Sequence, residues 1–364
     1  MQRRWIGWRN RLLASPAFQR FAARFPLTRP IARRRARTLF DLVAGFTYSQ
    51  ILAACIETGL LDLLANGPRD AEAIAVRLDL PLVGAERLLR GAAALRLVEP
   101  LGTDWALGPD GAALLGNHGI GAMIAHHRML YDDLADPVAL LRRGGGGGAL
   151  SRHWHYAEAA GQGGAGDVAA YSALMAASQP MIAGQALDAY RFDRHHRLLD
   201  VGGGEGAFLR AVADRVPGLA LALFDLPAVV ERARARFDAA GMAARTTVVG
   251  GDFLSDALPG GYDLVTLVRV LHDHDDAPAL ALLRRIHEAL PRGGRLLIVE
   301  PMAQTPGAGP AGDAYFGFYL LAMGSGRPRS ASEIRRMLRA AGFDRSAIVP
   351  TAIPLTASAI VATR

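Results

Sequence analysis

One cysteine, Cys55, is all the chain has. It cannot pair within the chain, which excludes a disulfide scaffold and a four-thiolate metal cage; a reducing, cytoplasmic setting fits. No run approaches the ~18 consecutive apolar residues expected of a membrane span. The N-terminus also lacks the unbroken apolar stretch and small-residue cleavage site of a secretory signal. Lysine is missing altogether, so all 41 basic side chains are arginine. With alanine and glycine also abundant, that fits coding bias and is not diagnostic. Apolar types make up 51% of the 364 residues, enough to bury a sizeable core and to exclude wholesale disorder. At roughly 100–200 residues per domain, the length suits two domains.

The net charge of +7 is unevenly spread. Residues 1–37 hold eleven arginines and no acid, whereas the remainder sets 30 basic residues against 34 acidic ones. A basic arm thus precedes a mildly acidic body. The arm interleaves its arginines with Trp5, Trp8, Phe18, Phe21 and Phe25 and is broken by Pro16, Pro26 and Pro30. Trp5, Trp8 and Leu12 fall on one face of a helix. That pattern suits peripheral attachment to an anionic membrane, and equally a helix packed on its own protein or a partner subunit.

Residues 38–115 predict helices followed by a small hairpin. Leu39 to Ala54 is a long apolar helical pattern, another helix starts at Leu60, and Asp70 opens a third with an acidic N-terminus. Val83 to Leu95 follows, then strands around 97–100 and 104–107 with Gly102 at the turn. This is a winged-helix pattern, whose first functional reading is DNA binding. The presumed recognition helix offers Glu86, Arg87 and Arg90 among alanines and leucines, too little positive charge for a DNA-reading face. The expectation is therefore a dimerisation module without nucleic acid, with a DNA-binding regulator as the competing class.

Residues 116–195 read as a helical connector interrupted between Arg142 and Gly166 by the run Gly144 to Gly148 and by Gly161, Gly163, Gly164 and Gly166. A mobile surface loop is the default reading of such glycines, a lid the sharper one. Beyond residue 196 seven strand patterns alternate with helices, at 197–201, 220–224, 246–250, 262–269, 294–300, 346–350 and 357–362. The expected fold class is α/β, a Rossmann-like seven-stranded domain over 196–364 preceded by the helical winged-helix unit.

The first of these strands runs into Asp200-Val201-Gly202-Gly203-Gly204-Glu205-Gly206-Ala207, a loop whose backbone can approach a ligand at a helix N-terminus. Gly202, Gly204 and Ala207 also satisfy a dinucleotide fingerprint, so the loop alone leaves an NAD-linked oxidoreductase open. The next strand ends at Asp225-Leu226, where a carboxylate suits a ribose diol. After the third come Asp252, placed for an adenine amino group, and Phe253, able to cover the ring. The fourth delivers Leu271-His272-Asp273-His274-Asp275-Asp276 to the carboxyl edge, where open α/β sheets bind ligands. Leu290-Pro291-Arg292-Gly293-Gly294 then leads into a buried strand ending at Glu300.

These motifs in this order resemble class I S-adenosylmethionine-dependent methyltransferases. More narrowly, residues 38–364 resemble the plant and bacterial small-molecule O-methyltransferases with an N-terminal winged-helix dimerisation domain. The resemblance implies that His272 is the general base, with Asp273 and Glu300 orienting it. It also implies that Asp200, Gly202, Gly203, Gly204, Asp225, Leu226, Asp252, Phe253 and Arg269 line the methyl donor, that no metal is needed, and that the chain is a homodimer. Two departures stand out. Pro328, in Ser325-Gly326-Arg327-Pro328-Arg329-Ser330, replaces a second supporting glutamate, and Val268 replaces a lysine, with Arg269 beside it as the available substitute. The segment Leu39 to Gln50, with the arginine-rich arm, is similar to the carotenoid branch of the family, the hydroxyneurosporene and demethylspheroidene O-methyltransferases of purple photosynthetic bacteria. That branch implies an apolar, tertiary-hydroxyl substrate in carotenoid biosynthesis, the alternative being a phenolic or polyketide acceptor.

Three further pairs of histidines, His126/His127, His153/His155 and His195/His196, lack a third ligand at metal spacing. His274, Asp275 and Asp276 are consecutive and cannot all face one ion, so they read as a solvated helix start. Met129, Tyr131, Tyr171, Met175 and Met181 suit either an apolar substrate tunnel or the core.

Overall fold

A computed structural model describes residues 1–152, 179–355 and 357–364. The glycines at 161–166, His153/His155, Tyr171 and Met175 lie outside the described residues. The chain divides into two compact units, Met1–Gly116 and Asn117–Arg364.

In the first unit the arm is helical: Gln2–Ala14 and Pro16–Arg24 lead into a 29-residue helix, Arg29–Glu57. Ser15 caps the second helix, its hydroxyl accepting from Phe18 N at 3.4 Å, with Pro16 in the first turn where a missing N–H costs nothing. Pro30 occupies the same favourable place in the long helix. The helix expected from Leu39 therefore begins ten residues earlier, and the arm–body boundary at 37 falls inside it. Its side chains are mostly uncovered: Leu42, Val43 and Phe46 are each more than 70% exposed, whereas Ala53 and Cys55 are buried. Burial pushes the Cys55 thiol up to about 11, which leaves it inert. An 18-residue window of this helix has mean hydropathy 1.5, so by length and composition it could cross a membrane. A search for unbroken apolar runs misses it because Asp41, Thr47, Ser49 and Gln50 interrupt the run without lowering the average below that of a span.

Asp70 caps the helix Ala71–Arg77, accepting from Ala73 N at 2.7 Å. The helix Leu82–Ala94 follows, and then the hairpin of β2 (Val98–Leu101) and β3 (Asp104–Leu107) with Gly102 in the turn. A two-residue strand, β1 (Arg69–Asp70), adds to β3, giving the order β1-β3-β2.

The second unit holds the seven-stranded sheet: β4 (Arg197–Val201), β5 (Ala220–Asp225), β6 (Thr246–Gly250), β7 (Leu264–Val268), β8 (Arg295–Glu300), β9 (Arg345–Val349) and β10 (Ser358–Thr363). Their order is β6-β5-β4-β7-β8-β10-β9, parallel except for β10, which is antiparallel to both neighbours. Alternate strand residues enter two cores. Leu198, Leu221, Leu223 and Val299 meet Phe208, Phe237 and Leu209 on one face, while Leu199, Phe224, Leu267 and Ile298 meet Leu282, Ile286, Ile334 and Leu338 on the other. At about 1.5–3 kcal/mol for each large apolar side chain removed from water, these layers dominate the unit's stability.

The run Gly144 to Gly148 is not a loose loop. Gly146 N donates to the Leu321 carbonyl at 2.8 Å, and the N–H groups of Ala149 and Leu150 both bond the buried Asp133 carboxylate, at 2.6 and 2.9 Å. A Cβ at Gly148 would stand 1.9 Å from Asp133 Oδ1. At Gly145 and Gly148 glycine serves close approach.

Candidate active site

Strand register brings the site together. Val201 pairs with Phe224 and Asp225 with Gly250, so the tips of β4, β5 and β6 place the glycine loop, Asp225 and Asp252 side by side. On the other side of β4, Val268 pairs with Val299, which sets the segment after β7 against Glu300. β4 is the point where the strand order reverses, the usual ligand crevice of an open α/β sheet.

The glycine loop turns through left-handed residues at Gly202, Gly204 and Gly206. At Gly202 (φ +70°) a Cβ would stand 2.8 Å from Val270, whereas at Gly204 it would meet nothing within 4 Å, leaving open space over the loop. Asp225 accepts Gly204 N and Leu226 N, one on each oxygen, both at 2.7 Å. Burial pushes its pKa up and those two bonds pull it back. A carboxylate has about four acceptor positions, so capacity remains for a diol. Asp252 Oδ1 accepts Leu254 N at 2.8 Å, and Phe253 stands edge-on to His274 with ring centres 5.3 Å apart. Asp200 lies deeper than the sequence reading expects. It is fully buried beneath the loop, with Oδ1 accepting Thr266 Oγ1 at 2.6 Å and Oδ2 unpartnered against Gly203. Burial raises it to about 7, partly offset by Thr266 and reinforced by the Asp225 charge. Glu205, also in the loop, is tied to Arg232 at 2.9 Å and to Arg236.

His272, 4% exposed, sits in the turn after β7. Its Nε2 is 3.0 Å from Asp273 Oδ1 and its Nδ1 is 3.4 Å from Glu300 Oε2, an ion-pair distance that is long for a hydrogen bond. Glu300, wholly buried, also accepts the His272 backbone N–H at 3.1 Å. Burial alone would lower the imidazole pKa. The Asp273 charge and hydrogen bond, joined by Glu300, outweigh it and hold the pKa at about 9. Arg269 adopts φ +59°, a costly conformation for a side-chain-bearing residue, while its N–H donates to the Val299 carbonyl at 2.8 Å. Its charge acts on Tyr315 and Tyr319.

Those tyrosines were not legible as site residues. Pro310–Phe316 is a π-helical turn continuing into the helix Gly317–Met323, and it sets Phe316 beside His272 with ring centres 6.1 Å apart. Tyr315 and Tyr319 bond His127 Nε2 and His126 Nε2 at 2.6 and 2.8 Å. These histidines come from the helix His118–Asp133, and burial pushes Tyr315 up to about 12 and lowers His127. The pair His126/His127 thus serves tyrosine partners. Tyr131 meets His127 edge-on, and Met129 packs against the same apolar cluster as Tyr315 and Tyr319. Asp275 and Asp276 are engaged by Gly326 N and by Arg327 and Arg329. Among the described residues no group of three or more His, Cys, Asp or Glu is gathered as for a metal ion.

A dinucleotide sheet has strand order 3-2-1-4-5-6. Here an antiparallel last strand enters between β8 and β9, and the glycine loop faces acidic tips on β5 and β6. Together these define an S-adenosylmethionine-dependent methyltransferase. Residues 131–344 match the O-methyltransferase domain and residues 40–107 the O-methyltransferase dimerisation domain, which supports a homodimer. The chain belongs to this O-methyltransferase family. It is 45% identical to the demethylspheroidene O-methyltransferase of Cereibacter sphaeroides over 97% of this chain and 94% of the relative. It is 41% identical to that of Rhodobacter capsulatus over 99% of this chain and 90% of the relative. Among solved structures, human N-acetylserotonin methyltransferase in complex with S-adenosylmethionine aligns with TM-score 0.74 and 26% identity, over 91% of this chain and 97% of that one. A calicheamicin-biosynthesis methyltransferase with bound S-adenosylhomocysteine aligns with TM-score 0.75 and 28% identity, over 91% and 98%. The methyl donor is S-adenosylmethionine.

Proposed function

We propose that the chain methylates the tertiary hydroxyl of an acyclic carotenoid, with His272 as general base. The observation that carries the substrate is the identity of 45% and 41%, over nearly the whole chain, with two demethylspheroidene O-methyltransferases. Asp225 and Asp252 would hold the ribose and adenine of the donor, with Phe253 over the ring and the glycine loop beneath it. The bound donor supplies an already activated methyl group, so the protein's task is largely alignment. His272, in its neutral form, takes the hydroxyl proton as the new bond forms, since a tertiary alcohol is too weak an acid to ionise first. Asp273 and Glu300 then stabilise the imidazolium. The His–Tyr pairs satisfy each other's polar atoms and offer aromatic carbon to the substrate, as a polyene requires.

The exposed apolar face of Arg29–Glu57 is read as a subunit contact, because residues 40–107 match a dimerisation domain. The arm before it, with exposed Trp5, Trp8, Phe21 and Phe25 among arginines, would rest on an anionic membrane from the cytoplasmic side. Incubation with labelled S-adenosylmethionine and a panel of hydroxycarotenoids and phenols, with mass analysis of products, tests the reading. Label confined to the carotenoid tertiary hydroxyl is expected, and exclusive labelling of phenols would overturn it.

A further inference from the structure

Between the helices Gly317–Met323 and Ala331–Ala340, residues 325–329 lie along the turn that carries His272. Arg329, with no exposed surface, donates from Nη1 to the Leu271 carbonyl at 2.8 Å and from Nη2 to the His274 carbonyl at 2.7 Å. Its Nε and Nη2 also reach Asp276 Oδ1 at 2.9 and 2.8 Å. Arg327 N donates to the His272 carbonyl at 2.9 Å and Ser325 Oγ to the Asp273 carbonyl at 3.0 Å. All four consecutive carbonyls from 271 to 274 therefore accept a bond from one short strap. Its approach requires glycine at 326, where a Cβ would stand 2.1 Å from the His272 carbonyl oxygen. A guanidinium so deeply buried is tolerated only when it is well hydrogen-bonded and paired, and this one donates to the carbonyls either side of His272 and Asp273 and to the Asp276 carboxylate.

We propose that Arg329 is a positioning residue for His272. With Ser325 and Arg327 it fixes the backbone of 271–276 so that the imidazole stays between Asp273 and Glu300, a task the chain performs without an acidic side chain at position 328. Only the turnover readout rests on His272 being the base. Lysine cannot span the Leu271 and His274 carbonyls and Asp276 at once, so Arg329→Lys loosens the strap while keeping its charge.

In the full-length protein, Arg329→Lys should lower kcat roughly 10–100-fold, the scale of a misplacement near 1 Å, with donor affinity by calorimetry within about twofold of wild type. Ser325→Ala, which removes one hydroxyl, should lower kcat less. In both variants the His272 imidazole, followed by NMR and assigned by its loss in His272→Ala, should titrate below its wild-type midpoint as contact with Asp273 and Glu300 loosens. Should Arg329→Lys fail to fold, Ser325→Ala carries the test. Wild-type kcat and titration in the folded variants would overturn the proposal, and so would a loss of kcat with an unmoved titration. The titration reads the strap without reference to turnover, whereas undiminished turnover in His272→Ala would remove the base and leave the strap standing.

Discussion

Glu300→Gln isolates the electrostatics of the base. Glutamine keeps the shape of the side chain and an oxygen to accept the His272 N–H, but removes a buried negative charge 3.4 Å from Nδ1. In the wild type, burial draws the imidazole pKa down while Asp273 and then Glu300 draw it up to about 9. At pH 7 only roughly 1% of such a group is neutral and able to take a proton. The wild-type kcat/KM should therefore climb about tenfold per pH unit from pH 7 and level near pH 9, since this parameter reports the free enzyme. Removing a close opposite charge shifts a pKa by about 1–3 units, so the limb in Glu300→Gln should move to a midpoint between about 6 and 8. The sign for stability follows from the same shift. A histidine raised above its unfolded value of about 6.5 adds stability that is complete below that pH and is lost as pH rises through about 9. Melting curves from pH 6 to 10 should thus fall less steeply above pH 7 in Glu300→Gln than in wild type. A wild-type limb centred near 6.5, or a limb that stays put in the variant, would refute the coupling.

Three further outcomes follow. Asp225→Ala should weaken S-adenosylmethionine binding more than tenfold in calorimetry, as about 1.5–3 kcal/mol is typical of a lost charge-assisted bond, and unchanged affinity would mean the diol lies elsewhere. His272→Ala should leave donor affinity nearly intact and lower turnover roughly 10²–10⁴-fold. Deleting residues 1–30 should reduce sedimentation with anionic liposomes and the activity on membrane-embedded carotenoid, with donor binding retained. Intact binding that resists raised salt would also count against the arm, because surface charge is screened over about 8 Å at physiological ionic strength.

The gathering of the glycine loop, Asp225 and Asp252 at the strand tips was legible because it is local. The seven apolar strands, the glycine loop and the acidic residues ending β5 and β6 each lie within a few residues of their own signal, and strand register does the rest. His272 and Glu300 were legible through the motif order. What escaped notice depends on contacts between distant segments. The two residues of β1 are too few to carry a period. Tyr315 and Tyr319 acquire meaning only opposite His127 and His126, 188 and 193 residues earlier. The run at 144–148 reads as a mobile loop in the sequence because composition reports backbone freedom but not the Leu321 carbonyl and the Asp133 carboxylate, which fill the missing Cβ space at Gly145 and Gly148. Arg329 looked like one arginine among many until its burial beneath the 271–276 turn was seen.

The two ends of the methyl transfer are built from separable material. On the proposed reading, strand tips and their loops hold the donor, whereas the acceptor would be faced by side chains of the helices His118–Asp133 and Gly317–Met323 and the π-helical turn between Pro310 and Phe316. Tyr315, Phe316, Tyr319 and the paired histidines can be exchanged without altering a hydrogen bond in the sheet or the glycine loop. Relatives named for acceptors as unlike as demethylspheroidene and acetylserotonin are compatible with that division. For an engineer, retargeting this enzyme is a problem of re-lining two helices, with the donor half kept as a fixed chassis.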